Sequence, residues 1–146
     1  RGHVRDLHVM LQEEVARRIA APPGSRECGI LSVLYAVACA VEIAARFPPG
    51  AFVPPPKVSS AVLRVRFLDE PRAQVDDLGG FERFLQRAVA RRRRTLENNL
   101  KDSYPHLKEY FRFLKVEGSR RPETLSVVEF AAIWEAVRSR PSGAKA

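Results

Sequence analysis

The chain has 146 residues, 45% of them hydrophobic, enough for one domain or a domain and a half with a buried core, which excludes a disordered tail. Two cysteines, Cys28 and Cys39, cannot build a disulfide framework, and three histidines, His3, His8 and His106, have no metal-ligand spacing, so a structural zinc site is not expected and a reducing, cytoplasmic compartment fits. The longest apolar run, Ile30 to Val41, is interrupted by Ser32 and falls short of the roughly 20 residues a bilayer span needs, so no membrane insertion is expected.

Basic residues outnumber acidic ones 25 to 17, giving a net charge of +8 and a pI near 10.2, the balance of a chain with polyanionic partners. Twelve Lys/Arg against five Asp/Glu lie between Glu82 and Arg121, so that window carries +7 of the total. No secretory pattern opens the chain. It begins at Arg1, has its one methionine at Met10, and already reads as strand interior by Leu7, so it is expected to be a fragment.

In chain order, Leu7 to Leu11 reads as a strand, and Gln12 to Ala21, with Val15, Ala16 and Ile19 at helical spacing, as a helix stopped by Pro22-Pro23-Gly24. Gly29 to Ala40 is a nearly continuous apolar helix, and Val41 to Phe47 a strand ended by Pro48-Pro49-Gly50. Val58 to Phe67 alternates, with Ala61, Leu63, Val65 and Phe67 on one face and Val62, Arg64 and Arg66 on the other. The last two strands suit an antiparallel pair, whereas the first strand and its helix have the character of a mostly parallel sheet. Three such strands leave a sheet edge and an apolar face uncovered, so upstream chain is expected to complete them.

A polar stretch from Asp69 to Gly80 has neither period and ends in two glycines; it is the expected linker between residues 1–68 and a helical part, 81–146. Phe81 to Lys101 reads as one helix and Pro105 to Leu114 as a second. Ser126 and Glu129 form a capping box, stapled by Leu125 and Phe130, that opens a helix with Val127, Phe130, Ile133, Trp134 and Val137 on one face. Residues 138–146 are expected to fray.

Much familiar chemistry is missing. The chain has no glycine-rich phosphate loop, no nucleophile elbow, no paired carboxylates and no clustered histidines, so hydrolysis has no support and no cofactor site is evident. Cys28 and Cys39 read as small buried side chains and the histidines as partly exposed polar ones. The informative stretch is Phe47 to Val58, where five prolines surround Phe52. Proline fixes its own φ and biases its predecessor toward extended backbone, so Phe52 is held stiffly. Two readings stand: a rigid ring for stacking on a splayed-out base, with Lys57 for a phosphate, or a core plug in a wide strand connection. Further on, Arg83, Arg87, Arg91, Arg94 and Lys101 form a stripe along the expected helix, suited to a phosphate backbone or simply to solvent. Arg92 falls toward Leu85, Val89 and Leu96, and Arg120 and Arg121 are either RNA contacts or capping partners.

Leu7 to Arg18, Leu31-Ser32-Val33, Pro48 to Val62, Arg91 to Leu100 and Arg120 to Ser126, in that order and spacing, resemble the ribosomal RNA adenine N6,N6-dimethyltransferase family. The resemblance covers about Asp6 to Val137. It implies an α/β fold, the C-terminal half of a Rossmann-like methyltransferase sheet followed by a small all-α domain that grips RNA. It further implies S-adenosylmethionine as methyl donor, bound mostly by a first half absent here together with its Asn-Leu-Pro-Tyr segment, and Phe52 as the ring that stacks on the flipped adenine. The chain alone is then expected to be inactive. Two departures are Cys28-Gly29-Ile30 where the family has Tyr-Gly-Arg, and Ser59 where it has Asp. The expected partner is small-subunit ribosomal RNA in an immature subunit, contacted by Lys57, Arg83, Arg87, Arg91, Arg94, Lys101, Arg120 and Arg121, with no metal or membrane and with the complete protein monomeric. The alternative is a noncatalytic RNA- or ribosome-binding module.

Overall fold

A computed structural model describes residues 3–139. The elements are β1 (Asp6–Gln12), α1 (Glu13–Ala20), α2 (Ile30–Ala38), β2 (Cys39–Phe47), β3 (Ser60–Phe67), α3 (Leu78–Ala88), α4 (Leu96–Leu100), α5 (Leu107–Leu114) and α6 (Val127–Ser139), with short 3₁₀ turns at Pro49–Ala51 and Pro122–Thr124. The chain divides into two compact units, residues 1–72 and 73–146.

The first unit is a three-stranded sheet in the order β1-β3-β2. Both pairings are antiparallel, with Val9 opposite Leu63 and Ile43 opposite Leu63 on the other side. The β2–β3 pair is antiparallel as expected from its connector, and β1, whose helix suggests a mostly parallel sheet, meets β3 antiparallel as well. Strands β1 and β2 do run in the same direction and are linked by helices, but the last strand in sequence separates them, which strand periodicity does not reveal. A register shift between Ile43 and Ala45 marks a bulge in β2.

Helices α1 and α2 cover one face, where Ala16 and Ile19 pack on Cys39, Ala61, Leu63 and Val65. Phe67, expected on that face, is exposed, because the core ends at Val65. The chain beyond β3 returns to the same unit: Leu68 N donates to Ala38 O, Arg72 N to Val37 O, and the Arg72 guanidinium to Ala36 O and Cys39 O at 2.7 and 2.6 Å. On the other face Arg64 spans all three strands, bonding Asp6 of β1 at 2.8 Å and Glu42 of β2 at 3.3 Å. Its hydrogen bond holds the Asp6 carboxyl below the usual carboxylate range. Met10 on that face is exposed.

Ser32, in the Leu31-Ser32-Val33 motif, is buried for a polar reason. Its hydroxyl accepts from Gly29 N at 3.1 Å and donates to Arg18 O at 2.5 Å, fastening the start of α2 to the end of α1. Of the two departures, Cys28 is buried beside this joint, and Ser59 uses its backbone carbonyl to accept from Glu13 N at 2.9 Å.

The second unit packs α3 to α6 around Phe81, Phe84, Leu85, Leu96, Leu100 and Phe130, all essentially inaccessible. Gly79 and Gly80, expected to close the linker, lie inside α3. Asp77 caps that helix by accepting from Gly80 N at 2.8 Å, and a Cβ on Gly80 would come within 2.8 Å of the Trp134 ring, so close packing explains this glycine. The Ser126–Glu129 box forms reciprocally, at 3.2 and 3.3 Å, and Val127, Phe130, Ile133 and Val137 are buried as expected. Of the stretch expected to fray, Arg138 and Ser139 are helical and 140–146 lie outside the described residues.

Candidate functional site

In the first unit the candidate site is the connector between β2 and β3. Its base is closed by ladder pairs, Phe47 and Gln12 both standing opposite Ser60. The loop turns through Pro49–Ala51, where Ala51 N donates to Pro48 O and Phe52 N to Pro49 O. Phe52 follows in extended conformation, φ −122° and ψ 152°. Its ring meets Phe47 edge-on, with centroids 6.3 Å apart and planes at 70°. One side is thus packed while the residue stays half-buried, neither entombed nor loose. Val53 next to it is 99% exposed, and Lys57 on the return is exposed too.

In the second unit the expected single helix from Phe81 to Lys101 does not exist. α3 stops at Ala88, Arg91 to Arg94 form a turn closed by Arg94 N donating to Arg91 O at 3.0 Å, and α4 starts afresh at Leu96. Two side chains break the helix. Thr95 caps α4 by accepting from Asn98 N at 3.2 Å. Asn99 donates its amide to Ala88 O at 2.7 Å and Arg91 O at 3.2 Å, satisfying carbonyls that a continued helix would have bonded. Leu96 and Leu100 anchor the return in the core, and Leu96 N and Glu97 N donate to Arg120 O and Gly118 O.

The stripe of Arg83, Arg87, Arg91, Arg94 and Lys101 is therefore corrected. Arg83 and Arg87 stand exposed on α3, Arg91 and Arg94 on the turn, and Lys101 just past α4. Arg87 reaches the Tyr104 hydroxyl at 3.4 Å. Arg92, expected to face the apolar side of a helix, is exposed on the turn. Of the two roles expected for Arg120, the structure shows the capping one: its guanidinium pairs with Glu129 and donates to Thr124 O at 2.6 Å, which fixes the entry to α6. Arg121 is exposed. Sequence reasoning missed Asn99 and the Phe47 support for Phe52. The available signals were Thr95 with Asn98 three residues on, and two phenylalanines bracketing the first prolines.

The chain matches the ribosomal RNA adenine dimethylase family model over residues 1–138. It belongs to that family. A ribosomal RNA small subunit methyltransferase A of Magnetococcus marinus is 39% identical over 138 residues, covering 90% of this chain and 50% of the relative. The protein of the same name from Syntrophotalea carbinolica is 42% identical over 135 residues, covering 90% and 51%. The chain thus spans about half the length of these relatives. Among solved structures, a dimethyladenosine transferase from Plasmodium falciparum superposes with a TM-score of 0.73 at 18% identity, over 95% of this chain and 59% of that one. The 23S rRNA methyltransferase ErmE gives 0.60 at 19% identity, over 94% and 56%. These two matches establish the α/β fold of the family. Among the described residues no helix is long and apolar enough to cross a membrane, and no three His, Cys, Asp or Glu side chains gather as metal ligands.

Proposed function

We propose that this chain is the C-terminal part of a small-subunit ribosomal RNA adenine dimethyltransferase. Residues 1–68 close the methyltransferase sheet, 69–80 connect, and 81–146 form a helical part that grips RNA. The observation that carries the reading is the proline-framed Phe52, braced by Phe47, in a chain of this family. A ring fixed on one side and open on the other suits stacking on an extruded base. Lys57, Arg83, Arg87, Arg91, Arg94, Lys101 and Arg121 supply cations for phosphates, while Arg120 holds the α6 entry. The complete protein acts as a monomer on an immature subunit in the cytoplasm.

Methyl transfer to an exocyclic amine depends chiefly on alignment, and S-adenosylmethionine supplies the methyl group. This chain's own residues do not fit that donor. At the Phe52 end of the sheet they are Phe47, Phe52 and prolines, and Glu13 turns its carboxylate to Arg46 at 3.3 Å rather than offering it to a ribose. The chain alone therefore grips RNA without turnover. Titration calorimetry with S-adenosylmethionine is expected to show no binding, and stoichiometric binding would overturn this.

The RNA role is tested by the salt dependence of binding to small-subunit ribosomal RNA. Changing Arg87, Arg91 and Arg94 together to Gln is expected to make the log–log slope shallower by about 2 to 3. An unchanged slope removes these residues from the interface. A second reading, a noncatalytic RNA- or ribosome-binding module, takes the Phe47–Phe52 contact as packing alone. Phe52→Ala in a full-length protein separates the two, because only the first reading ties that ring to the methylation rate.

A further inference from the structure

α5 buries Leu107 and Phe111 and half-buries Tyr110 and Leu114, the i, i+3, i+4, i+7 face of an amphipathic helix. Lys108, Glu109, Arg112 and Phe113 make up its outer face, and together they line a surface depression of about 340 Å³. Three of these four are the charged residues such a face calls for. The fourth is a phenylalanine with 83% of its surface exposed.

The inner face of the helix is locked. A Cβ on Gly118 would come within 2.6 Å of the Phe111 ring, and Val116 N donates to Phe111 O at 3.0 Å. The outer ring is therefore carried on a fixed base. We propose that Phe113 is a stacking platform for one unpaired nucleotide of RNA, with Arg112 and Lys108 reaching its flanking phosphates.

Charge selects this occupant. The depression lies in the window that carries +7 of the chain's net charge, and Arg112 has no carboxylate partner among the described residues. Lys108 pairs with Glu97 at 3.4 Å but is 84% exposed, so a phosphate can compete for it. Glu109, 3.9 Å from His106, opposes an anion on its own side of the groove. A nucleotide seated here therefore directs its phosphates toward Lys108 and Arg112 and its base onto the ring. A second copy of a chain of net charge +8 would bring like charges together. Base-on-aromatic stacking needs only one open face of the ring and tolerates any base.

The inference rests on the RNA-binding reading, and the experiment keeps the two apart. The chain is titrated with a single-stranded oligoadenylate carrying one 2-aminopurine and with an RNA duplex of equal length, across a series of salt concentrations. Phe113→Leu is expected to weaken single-strand binding by about five- to tenfold, abolish the 2-aminopurine quench, and leave the duplex affinity and the salt slope unchanged. Phe113→Trp restores binding, and Arg112→Gln lowers the slope by about one. If wild type and Phe113→Leu bind the single strand equally, the platform is refuted while the RNA reading stands. If the wild-type chain binds neither RNA in a salt-dependent way, both fall. Sedimentation showing a dimer that Phe113→Leu converts to monomer assigns the ring to self-association and overturns the proposal.

Discussion

The connector between β2 and β3 and the turn between α3 and α4 both present side chains outward from a packed unit, but by opposite means. The connector is stiff in its own covalent chemistry: prolines restrict the backbone, a 3₁₀ turn closes the bend, and Phe47 supports the ring of Phe52. The arginine turn has no such stiffness and is held from outside, by Thr95 capping the next helix and by Asn99 bonding one carbonyl at the end of α3 and one within the turn. An aromatic platform must have a defined plane. Cations on long side chains need only a fixed root, because their reach does the rest.

The sharpest way to break this contrast is to remove the ring. In a full-length protein containing this chain, Phe52→Ala is expected to lower the methylation rate by about a hundredfold, through lost alignment, while RNA affinity changes by less than about threefold. Equal losses in both would make Phe52 a general contact, and loss of stability alone would make it packing. Next in size, Asn99→Ala is expected to destabilise the second unit by about 1–3 kcal/mol in urea unfolding, because Ala88 O and Arg91 O lose their shared donor. If the turn is self-supporting, that variant unfolds with the wild type. Thr95→Ala removes a single cap and is expected to cost about 1 kcal/mol in the same measurement.

The smallest effect concerns the strands that frame the connector. Asp6 titrates below its ordinary value because Arg64 donates to it. The stabilisation is therefore fully present above the ordinary aspartate pKa and is lost as pH falls through the lowered one. Arg64→Gln is expected to raise the Asp6 midpoint in an NMR titration and to flatten this acid limb.

Local elements were legible where one residue type decided them. Pro48-Pro49-Gly50 ends β2, alternation marks β3, and Ser126 with Glu129 opens α6. The end of α3 was not legible. Arginine is a good helix former, so four in succession read as helix, and what breaks it is an amide reaching back from Asn99 to Ala88. The capping role open to Arg120 is the one seen, but its partner was not legible, since Glu129 stands nine residues away across the 3₁₀ turn. The antiparallel pairing of β2 with β3 was legible from their short connector, but the seat of β3 beside β1 leaves no trace in periodicity, because alternation is the same whichever neighbour a strand has. The phenylalanine and lysine of the connector were legible as unusual; the Phe47 ring that orients Phe52 became visible only in space.

The order β1-β3-β2 also has a consequence for synthesis on the ribosome. Of these three strands the middle one is translated last, so at roughly 5–20 residues per second β1 and β2 wait on the order of seconds for their common neighbour. Until then α1 and α2 can shield only one side of a gap, and β3 reaches its place by threading between two strands already made.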